Sequence, residues 1–195
     1  MFALLWPMAA FALAASISPG PVNLVGLSSG SRYRLSVGLV FVTGATLGFI
    51  LLFVSVGLGL YALLSRWPLF IVALRWGGIG YLLFLAWQLA RDEGRLGDAD
   101  PDQAPSFFTG ALMQWLNPKA WLATLAGLSA LTDGSVNQLL WFAALYLPIC
   151  WLSLASWVLA GAFLRRLVHN PKVLVTINRT LALLLVLSCA VMIVD

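Results

Sequence analysis

Six long apolar runs dominate the sequence and constrain its fold more than any other feature. They cover about residues 3–28, 36–64, 69–90, 107–130, 138–164 and 173–194. A transmembrane helix needs about 20 such residues to cross a hydrocarbon core of about 30 Å. Because lipid offers no hydrogen-bond partners, the backbone of each run must satisfy its own polar groups, as a helix does. We therefore predict an all-α integral membrane protein with six transmembrane helices.

The composition agrees with a membrane location and argues against a soluble function. Apolar residues make up 62% of the chain and charged residues only 9%, whereas soluble domains have roughly 45–50% and about 25%. The formal charge of +4 could suggest nucleic-acid binding. The basic residues, however, stand singly or in pairs between the apolar runs, where they act as topology determinants. We expect the lipid bilayer as the surroundings and no nucleic-acid partner.

One hydrophilic segment, residues 91–106, divides the chain into two groups of three spans. It holds five of the seven acidic residues. We predict a single transmembrane domain over 1–195, made of one repeat at about 1–90 and a second at about 107–195. Because three is an odd number, the two groups would cross the membrane in opposite senses, which is the layout of an inverted repeat.

The lysines and arginines near the span ends predict the orientation. Eight of them follow spans 1, 3 and 5, and only two follow spans 2 and 4. The positive-inside rule places the richer loops in the cytoplasm, so both termini are expected outside and segment 91–106 inside. Residues 2–15 could alternatively be a signal peptide, but they lack a basic start and the apolar run continues to Leu27.

Helix-breaking residues interrupt the first span of each group. Span 1 contains Ser18-Pro19-Gly20-Pro21-Val22-Asn23, and span 4 contains Asn117-Pro118-Lys119. Proline lacks an N–H group and its ring clashes with the preceding turn of a helix. Ser-Pro and Asn-Pro each place a capping residue before a proline at the first helical position. Each span is therefore predicted to be two half-helices, the second beginning within the membrane.

Breaks at corresponding places in the two groups predict a substrate site. Non-helical backbone at membrane depth survives only where protein or a water-filled cavity covers it. Two inverted groups would bring the N-termini of their second half-helices together near the midplane, where transporters bind substrate. Taken alone, each proline could instead produce an ordinary kink.

Lys119 is the formally charged residue that lies deep inside a span. A charge at that depth costs at least about 2.5–3.5 kcal/mol on insertion scales, and no Asp or Glu lies within any of the six runs. Two functional roles stay open, binding of a substrate carboxylate beside the half-helix N-termini and transfer of a proton. The structural alternative is that the side chain snorkels or bonds to backbone carbonyls.

Spaced glycines predict close helix packing. Gly38, Gly44 and Gly48 lie on span 2, and Gly78 lies at the start of span 3. Small residues at such spacing let two helices approach each other closely in a membrane. The pair Gly44 and Gly48 could serve packing within the chain or a homo-oligomer, and the sequence does not decide between them.

With these residues laid out, the chain resembles the LysE/RhtB family of bacterial amino-acid exporters. The resemblance runs in order along the whole chain, through Ser18-Pro19-Gly20-Pro21 with Asn23, the spaced glycines of span 2, the stretch from Gly78 to Trp87, and the stretch from Phe108 to Asn117-Pro118-Lys119-Ala120. It implies efflux of amino acids or related small metabolites through the bacterial cytoplasmic (inner) membrane, powered by an ion gradient. The family's motif positions map onto Pro19, Gly20, Pro21, Asn23, Asn117, Pro118 and Lys119.

The sequence departs from the family pattern in two places, and both leave the substrate open. Val22 stands where an asparagine commonly follows Pro-Gly-Pro. Residues 126–131 read Ala-Gly-Leu-Ser-Ala-Leu, where the family often has Pro-Gln-Phe.

The function we predict is secondary export by alternating access, coupled to the proton gradient. Ser18, Pro19, Gly20, Pro21, Asn23, Asn117, Pro118 and Lys119 are its candidate substrate-binding residues. No cofactor, metal ligand or catalytic residue is expected, since the lone His169 has no acidic cluster and the chain offers no paired nucleophile and base. Two alternatives are a metal-ion permease, which should need intramembrane carboxylates, and a thiol electron carrier, which should need Cys150 and Cys189 near the breaks.

Overall fold

A computed structural model describes residues 2–61, 66–91, 104–167 and 171–194, and this part of the chain is helical. Eight helices lie in the described residues, and each of the six apolar runs contains at least one of them. They are α1 (Phe2–Ile17), α2 (Pro21–Arg32), α3 (Leu35–Gly57), α4 (Pro68–Ala90), α5 (Phe107–Leu116), α6 (Pro118–Leu131), α7 (Val136–Leu167) and α8 (Pro171–Val194). Most of the hydrophilic segment predicted at 91–106 lies outside the described residues.

Two of these helices are long and apolar enough to cross a membrane by themselves. They are α3 over Leu35–Gly57 and α7 over Val136–Arg165, and α7 continues through Pro148. The pair α1 and α2 makes a third candidate span, bent by 60° at its break. For the described residues the count is thus two or three candidate spans, and the full six stay a prediction.

Helix α3 is shorter than the apolar run that predicts it. The run extends to residue 64, but α3 ends at Gly57, and Leu58 is its C-cap. Gly59 follows with φ +105, a left-handed backbone conformation that glycine adopts without steric cost. The expected span 2 is therefore interrupted by this turn, and residues 62–65 lie outside the described part of the chain.

Helices α3 and α7 form the centre of the bundle. Helix α7 packs against α1, α2 and α3, and α3 also packs against α5. Between α3 and α7, the rings of Phe49 and Tyr146 lie 4.7 Å apart, and those of Phe53 and Phe142 lie 5.0 Å apart. Such ring pairs contribute about 0.5–1.5 kcal/mol each beyond their burial. Many large apolar side chains on the outer faces are exposed, as a surface against lipid requires, and Leu51, Leu152 and Leu159 are examples.

The Gly44 and Gly48 face of α3 packs against α5 of the same chain. A Cβ atom on Gly44 would overlap the Phe107 carbonyl, and one on Gly48 would lie 2.6 Å from the Ala111 Cα. The two backbones can approach this closely only because neither glycine carries a side chain. The sequence left open whether this face serves packing within the chain or a homo-oligomer. In the structure it serves packing within the chain.

Helix α7 approaches its neighbours through glycines as well. A Cβ on Gly38 of α3 would overlap the Val158 side chain, and one on Gly161 of α7 would overlap the Leu27 carbonyl of α2. These contacts place the long helix α7 directly against α2 and α3. They also position the side chains of α7 that line the candidate site.

Gly78 and Gly77 offer a matched test of helix packing. A Cβ on Gly78 of α4 would overlap the Leu116 carbonyl at the end of α5, whereas a Cβ on Gly77 would meet nothing within 4 Å. We expect Gly78→Ala to lower the melting temperature of the detergent-solubilised protein. Gly77→Ala should leave it unchanged or raise it, because alanine is a better helix former by about 1 kcal/mol. Equal melting temperatures for the two variants would contradict this packing.

The loop between α6 and α7 is held by an exposed carboxylate. The Asp133 oxygens accept hydrogen bonds from the Ser135 backbone N–H at 2.8 Å and from Gln138 Nε2 at 2.9 Å. Hydrogen bonds from Ser135 lower the pKa of the Asp133 carboxyl, because they stabilise its charged form. This acidic loop therefore stays charged at neutral pH.

Candidate functional site

The first break separates α1 from α2, and it lies two residues later than the capping pattern predicted. Helix α2 begins at Pro21 with Gly20 as its N-cap, so the expectation that Ser18 caps it was wrong. Ser18 instead completes the last turn of α1, because its N–H donates to the Ala14 carbonyl at 3.3 Å and its Oγ donates to the Ala15 carbonyl at 3.1 Å. The predicted interruption of the helix at this place is confirmed.

The second break follows the prediction closely. Helix α5 ends at Leu116 and α6 begins at Pro118, and the Asn117 side chain accepts a hydrogen bond from the Lys119 N–H at 3.1 Å. Asn117 is thus confirmed as the N-cap of α6. The Trp121 indole of α6 donates to the Trp115 carbonyl of α5 at 2.8 Å, which ties the two half-helices together.

Lys119 joins the two breaks. Its Nζ donates to the Ser18 carbonyl at 2.7 Å, to the Ser18 Oγ at 2.8 Å and to the Pro19 carbonyl at 3.1 Å. These contacts engage the donors of the ammonium group at the C-terminal end of α1, where the helix dipole places partial negative charge. In this conformation Lys119 therefore bonds to backbone carbonyls, as the structural alternative to the two functional roles predicted.

The neighbouring carbonyls at the end of α1 also have side-chain donors. The Ser16 carbonyl accepts from Asn23 Nδ2 at 2.8 Å, and the Ile17 carbonyl accepts from the Trp157 indole at 3.1 Å. Asn23 thereby bridges the break within span 1, and Trp157 reaches the end of α1 from the neighbouring helix α7. The C-terminal end of α1 is thus held by donors from α2, α6 and α7.

The N-termini of the two second half-helices differ in one respect that matters for anion binding. Asn117 caps α6, but Gly20 offers α2 no side-chain oxygen. Pro21 has no N–H, and by position the N–H groups of Val22 and Asn23 have no acceptor within the helix. Helix α2 therefore presents an uncapped, partly positive end, whereas α6 does not.

A small cavity lies where the breaks meet, and we call it the central cavity. It encloses about 40 Å³ and its wall includes Ala15, Ser16, Val22, Asn23, Phe49, Gln114, Asn117, Lys119, Tyr146 and Cys150. Such a volume holds about one to a few water molecules and is smaller than an amino acid. In this conformation the substrate has no room between the breaks.

The structure brings the predicted site residues together in two ways. Asn23, Asn117 and Lys119 line the central cavity. The remaining predicted residues shape the breaks around it: Ser18 and Pro19 bind the ammonium, Pro21 and Pro118 begin the second half-helices, and a Cβ on Gly20 would lie 3.0 Å from Lys119 Nζ. Their contact with substrate stays a prediction.

Sequence reasoning missed the contribution of α7 to the cavity. Tyr146 and Cys150 line it and are almost fully buried. They stand four residues apart and so share one face of the helix, but their residue types are equally common in an ordinary core. Only the packing of α7 against the first break reveals that this face points to the site.

Acidic and metal-ligating side chains do not gather at the site. Within the described residues, no group of three or more His, Cys, Asp or Glu side chains could hold a metal ion. Cys150 and Cys189 are both buried as free thiols. The arrangement offers one cation, one uncapped helix N-terminus and a set of neutral polar groups, which suits a small anionic or zwitterionic ligand.

Two helix breaks that meet around a lysine and a small cavity, in a bundle of apolar helices, are typical of helical membrane transporters. The chain belongs to the LysE type translocator family, whose model matches residues 13–195. This makes it a multi-pass membrane protein of a bacterial efflux family and a transporter rather than an enzyme.

Several curated relatives have the same printed name, cysteine/O-acetylserine efflux protein. The one from Klebsiella pneumoniae subsp. pneumoniae is 29% identical over 161 residues, covering 80% of this chain and 81% of the relative. The one from Escherichia coli O1:K1 is 27% identical over 184 residues, covering 93% and 92%. The one from Salmonella typhimurium is 28% identical over 185 residues, with the same coverage. No solved structure matches the chain.

Proposed function

We propose that this protein exports small amino acids across the cytoplasmic membrane, with cysteine and O-acetylserine as the first substrates to test. The observation that carries the proposal is the meeting of the two breaks, in which Lys119 of one break binds the carbonyls of the other beside a cavity. The printed names of the relatives support the choice of substrates.

The substrate carboxylate would bind between Lys119 and the start of α2. The N–H groups of Val22 and Asn23 and the ammonium of Lys119 are the positive groups at the central cavity, and anions bind readily at uncapped helix N-termini. To receive a carboxylate, Lys119 must exchange contacts with Ser18 and Pro19 for contacts with the substrate. The same exchange would let Lys119 give up or regain a proton, which is how we propose that transport couples to the proton gradient.

Alternating access would open the central cavity to one side of the membrane at a time. The cavity of about 40 Å³ is too small for an amino acid, so the half-helices around the breaks must separate to admit one. The Lys119 contacts with Ser18 and Pro19 would then form the closed state of the pathway. Substrate binding would favour opening because it competes for the same ammonium.

The helix order supports six spans in two inverted repeats. Each half contains a broken span followed by two helices, α1 and α2 with α3 and α4, then α5 and α6 with α7 and α8. The contacts also correspond, because α3 packs against the half-helix α5, while α7 packs against the half-helix α1. Helices α3 and α7 contact each other, as do α4 and α8, as equivalent helices of two repeats would.

The contacts between helix ends support the orientation inferred from charge. Arg165 near the end of α7 donates to the Tyr33 carbonyl, just after α2, at 3.3 Å. The end of α4 and the start of α5 lie near Arg32 as well. The loops after spans 1, 3 and 5 thus share one end of the bundle, which we propose is cytoplasmic, with both termini outside.

Purified protein in liposomes tests the function. We expect liposomes loaded with radiolabelled L-cysteine or O-acetyl-L-serine to release it faster than protein-free liposomes, and an imposed pH gradient to accelerate release. Absence of flux for every amino acid in a panel would contradict the proposal. Zn²⁺ flux in its place would favour the metal-ion permease, and wild-type amino-acid flux by a Cys150→Ser, Cys189→Ser variant would rule out the thiol electron carrier.

A further inference from the structure

A second and larger cavity lies at the arginine-rich end of the bundle, and we call it the arginine-end cavity. It encloses about 240 Å³ between α2, α4 and α5. Its polar wall includes Ser28, Ser29 and Arg32 of α2, Tyr81 and Gln88 of α4, and Thr109 of α5. Unlike the central cavity, it has room for a whole amino acid.

Among the described residues, the wall of this cavity includes the Arg32 guanidinium and several neutral polar groups. The Arg32 guanidinium carbon lies 5.3 Å from the centre of the Tyr33 ring, which restricts its position. Ser28, Gln88 and Thr109 add neutral hydrogen-bonding groups to the same wall. A guanidinium can bind a carboxylate through two parallel hydrogen bonds.

The two cavities are stacked along one helix. Val22 lines the central cavity, and Val25, about one turn further along α2, lines the arginine-end cavity. From Asn23 to Arg32 the rise along the helix is about 14 Å. A ligand leaving the arginine-end cavity along α2 would therefore reach the central cavity after a short movement between the helices.

We infer that the arginine-end cavity is the cytoplasmic receiving site for substrate, and that Arg32 binds the carboxylate of a small amino acid there before it moves to the central cavity. This rests on the proposed export function and its orientation. The receiving site concentrates substrate on the side from which an exporter collects it. Arg32 contributes to substrate binding from the cytoplasmic side. It takes no part at the central cavity, where Lys119 exchanges its contacts with Ser18 and Pro19 for contacts with the substrate.

The test compares Arg32→Gln with the wild type from each face of the membrane. In inside-out vesicles, whose cytoplasmic face is outward, we expect the KM for radiolabelled L-cysteine and O-acetyl-L-serine to rise about tenfold, because a charge-assisted hydrogen bond is lost. The maximal rate should stay within about twofold, because the central site is intact. In right-side-out vesicles, the KM for counterflow from the periplasmic face should not change.

Arg34→Gln is the matched control. Arg34 lies two residues away at the same end, is exposed and does not line the cavity. Its replacement removes the same charge from the same loop, so it controls for any effect of charge on membrane insertion. We expect wild-type KM values for Arg34→Gln from both faces. Arg32→Lys should fall between the wild type and Arg32→Gln, because it keeps the charge and loses the planar pair of donors.

Each of the following outcomes would contradict the inference. An unchanged KM for Arg32→Gln at the cytoplasmic face, or an equal rise for Arg34→Gln, would show that Arg32 does not receive substrate. A fall in maximal rate from both faces with constant KM would indicate a structural or lipid-binding role instead. If the wild type transports neither substrate nor any other amino acid, the proposed export function fails, and the receiving site fails with it.

Discussion

Replacing Lys119 with methionine should abolish amino-acid export while the protein remains in the membrane. Methionine has a similar length but no charge, so the variant loses the Nζ contacts with Ser18 and Pro19. It also loses the ammonium that would bind a carboxylate or carry a proton. Because hydrogen bonds from charged groups contribute about 1.5–3 kcal/mol each, we expect the export rate to fall about 100-fold or more. Efflux from proteoliposomes, normalised to the reconstituted protein, measures it.

Lys172→Met is the control for this experiment, because Lys172 is the other lysine of the chain and lies in the predicted cytoplasmic loop. It should export at the wild-type rate. Lys119→Arg separates the two roles, because arginine keeps the positive charge but stays protonated. If this variant exchanges substrate but a pH gradient no longer accelerates its export, Lys119 both binds the carboxylate and transfers a proton. Wild-type export by Lys119→Met would refute the role of Lys119.

Replacing Asn23 with leucine should both destabilise the protein and slow export. The Asn23 amide donates to the Ser16 carbonyl at 2.8 Å and is almost fully buried. Leucine has a similar volume but cannot donate, so it leaves that carbonyl without this donor at the break, at a cost of about 1–3 kcal/mol. Asn23 also lines the central cavity. We expect a melting temperature several degrees lower and export slower by about tenfold.

Asn137→Leu is the matched control, because Asn137 lies exposed near the start of α7, away from both breaks. It should keep the wild-type melting temperature and export rate. If Asn23→Leu behaved like this control in both measurements, the bridge between Asn23 and Ser16 would have no part in stability or transport.

The two breaks were predictable from sequence because their signals are local. A proline removes its own N–H and an asparagine side chain caps the helix that starts next to it, so Asn117 and Pro118 are readable from adjacent residues. The importance of Lys119 could be predicted for a similar reason, because a charge within an apolar run needs a polar partner. Ser18 was misassigned because each of the two prolines could begin the helix, and α2 begins at the second one, Pro21.

The partners that hold the site were not predictable, because they come from distant parts of the chain. Trp157 bonds to the Ile17 carbonyl across 140 residues, and Lys119 reaches Ser18 across 101. Tyr146 and Cys150 line the central cavity only because α7 packs against the first break. A single sequence carries no signal for contacts of this kind, and the apolar composition of α7 suits lipid, core and cavity alike.

Access to the Cys150 thiol tests most directly the claim that substrate passes through the central cavity by alternating access. Cys150 lines the cavity and is 3% exposed, and Cys189→Ser leaves it as the one thiol of the chain. A membrane-impermeant methanethiosulfonate should label Cys150 in inside-out vesicles and also in right-side-out vesicles. A substrate without a thiol, such as O-acetyl-L-serine, should slow the labelling in both kinds of vesicle. Labelling from one face only, or labelling that substrate does not slow, would contradict the account.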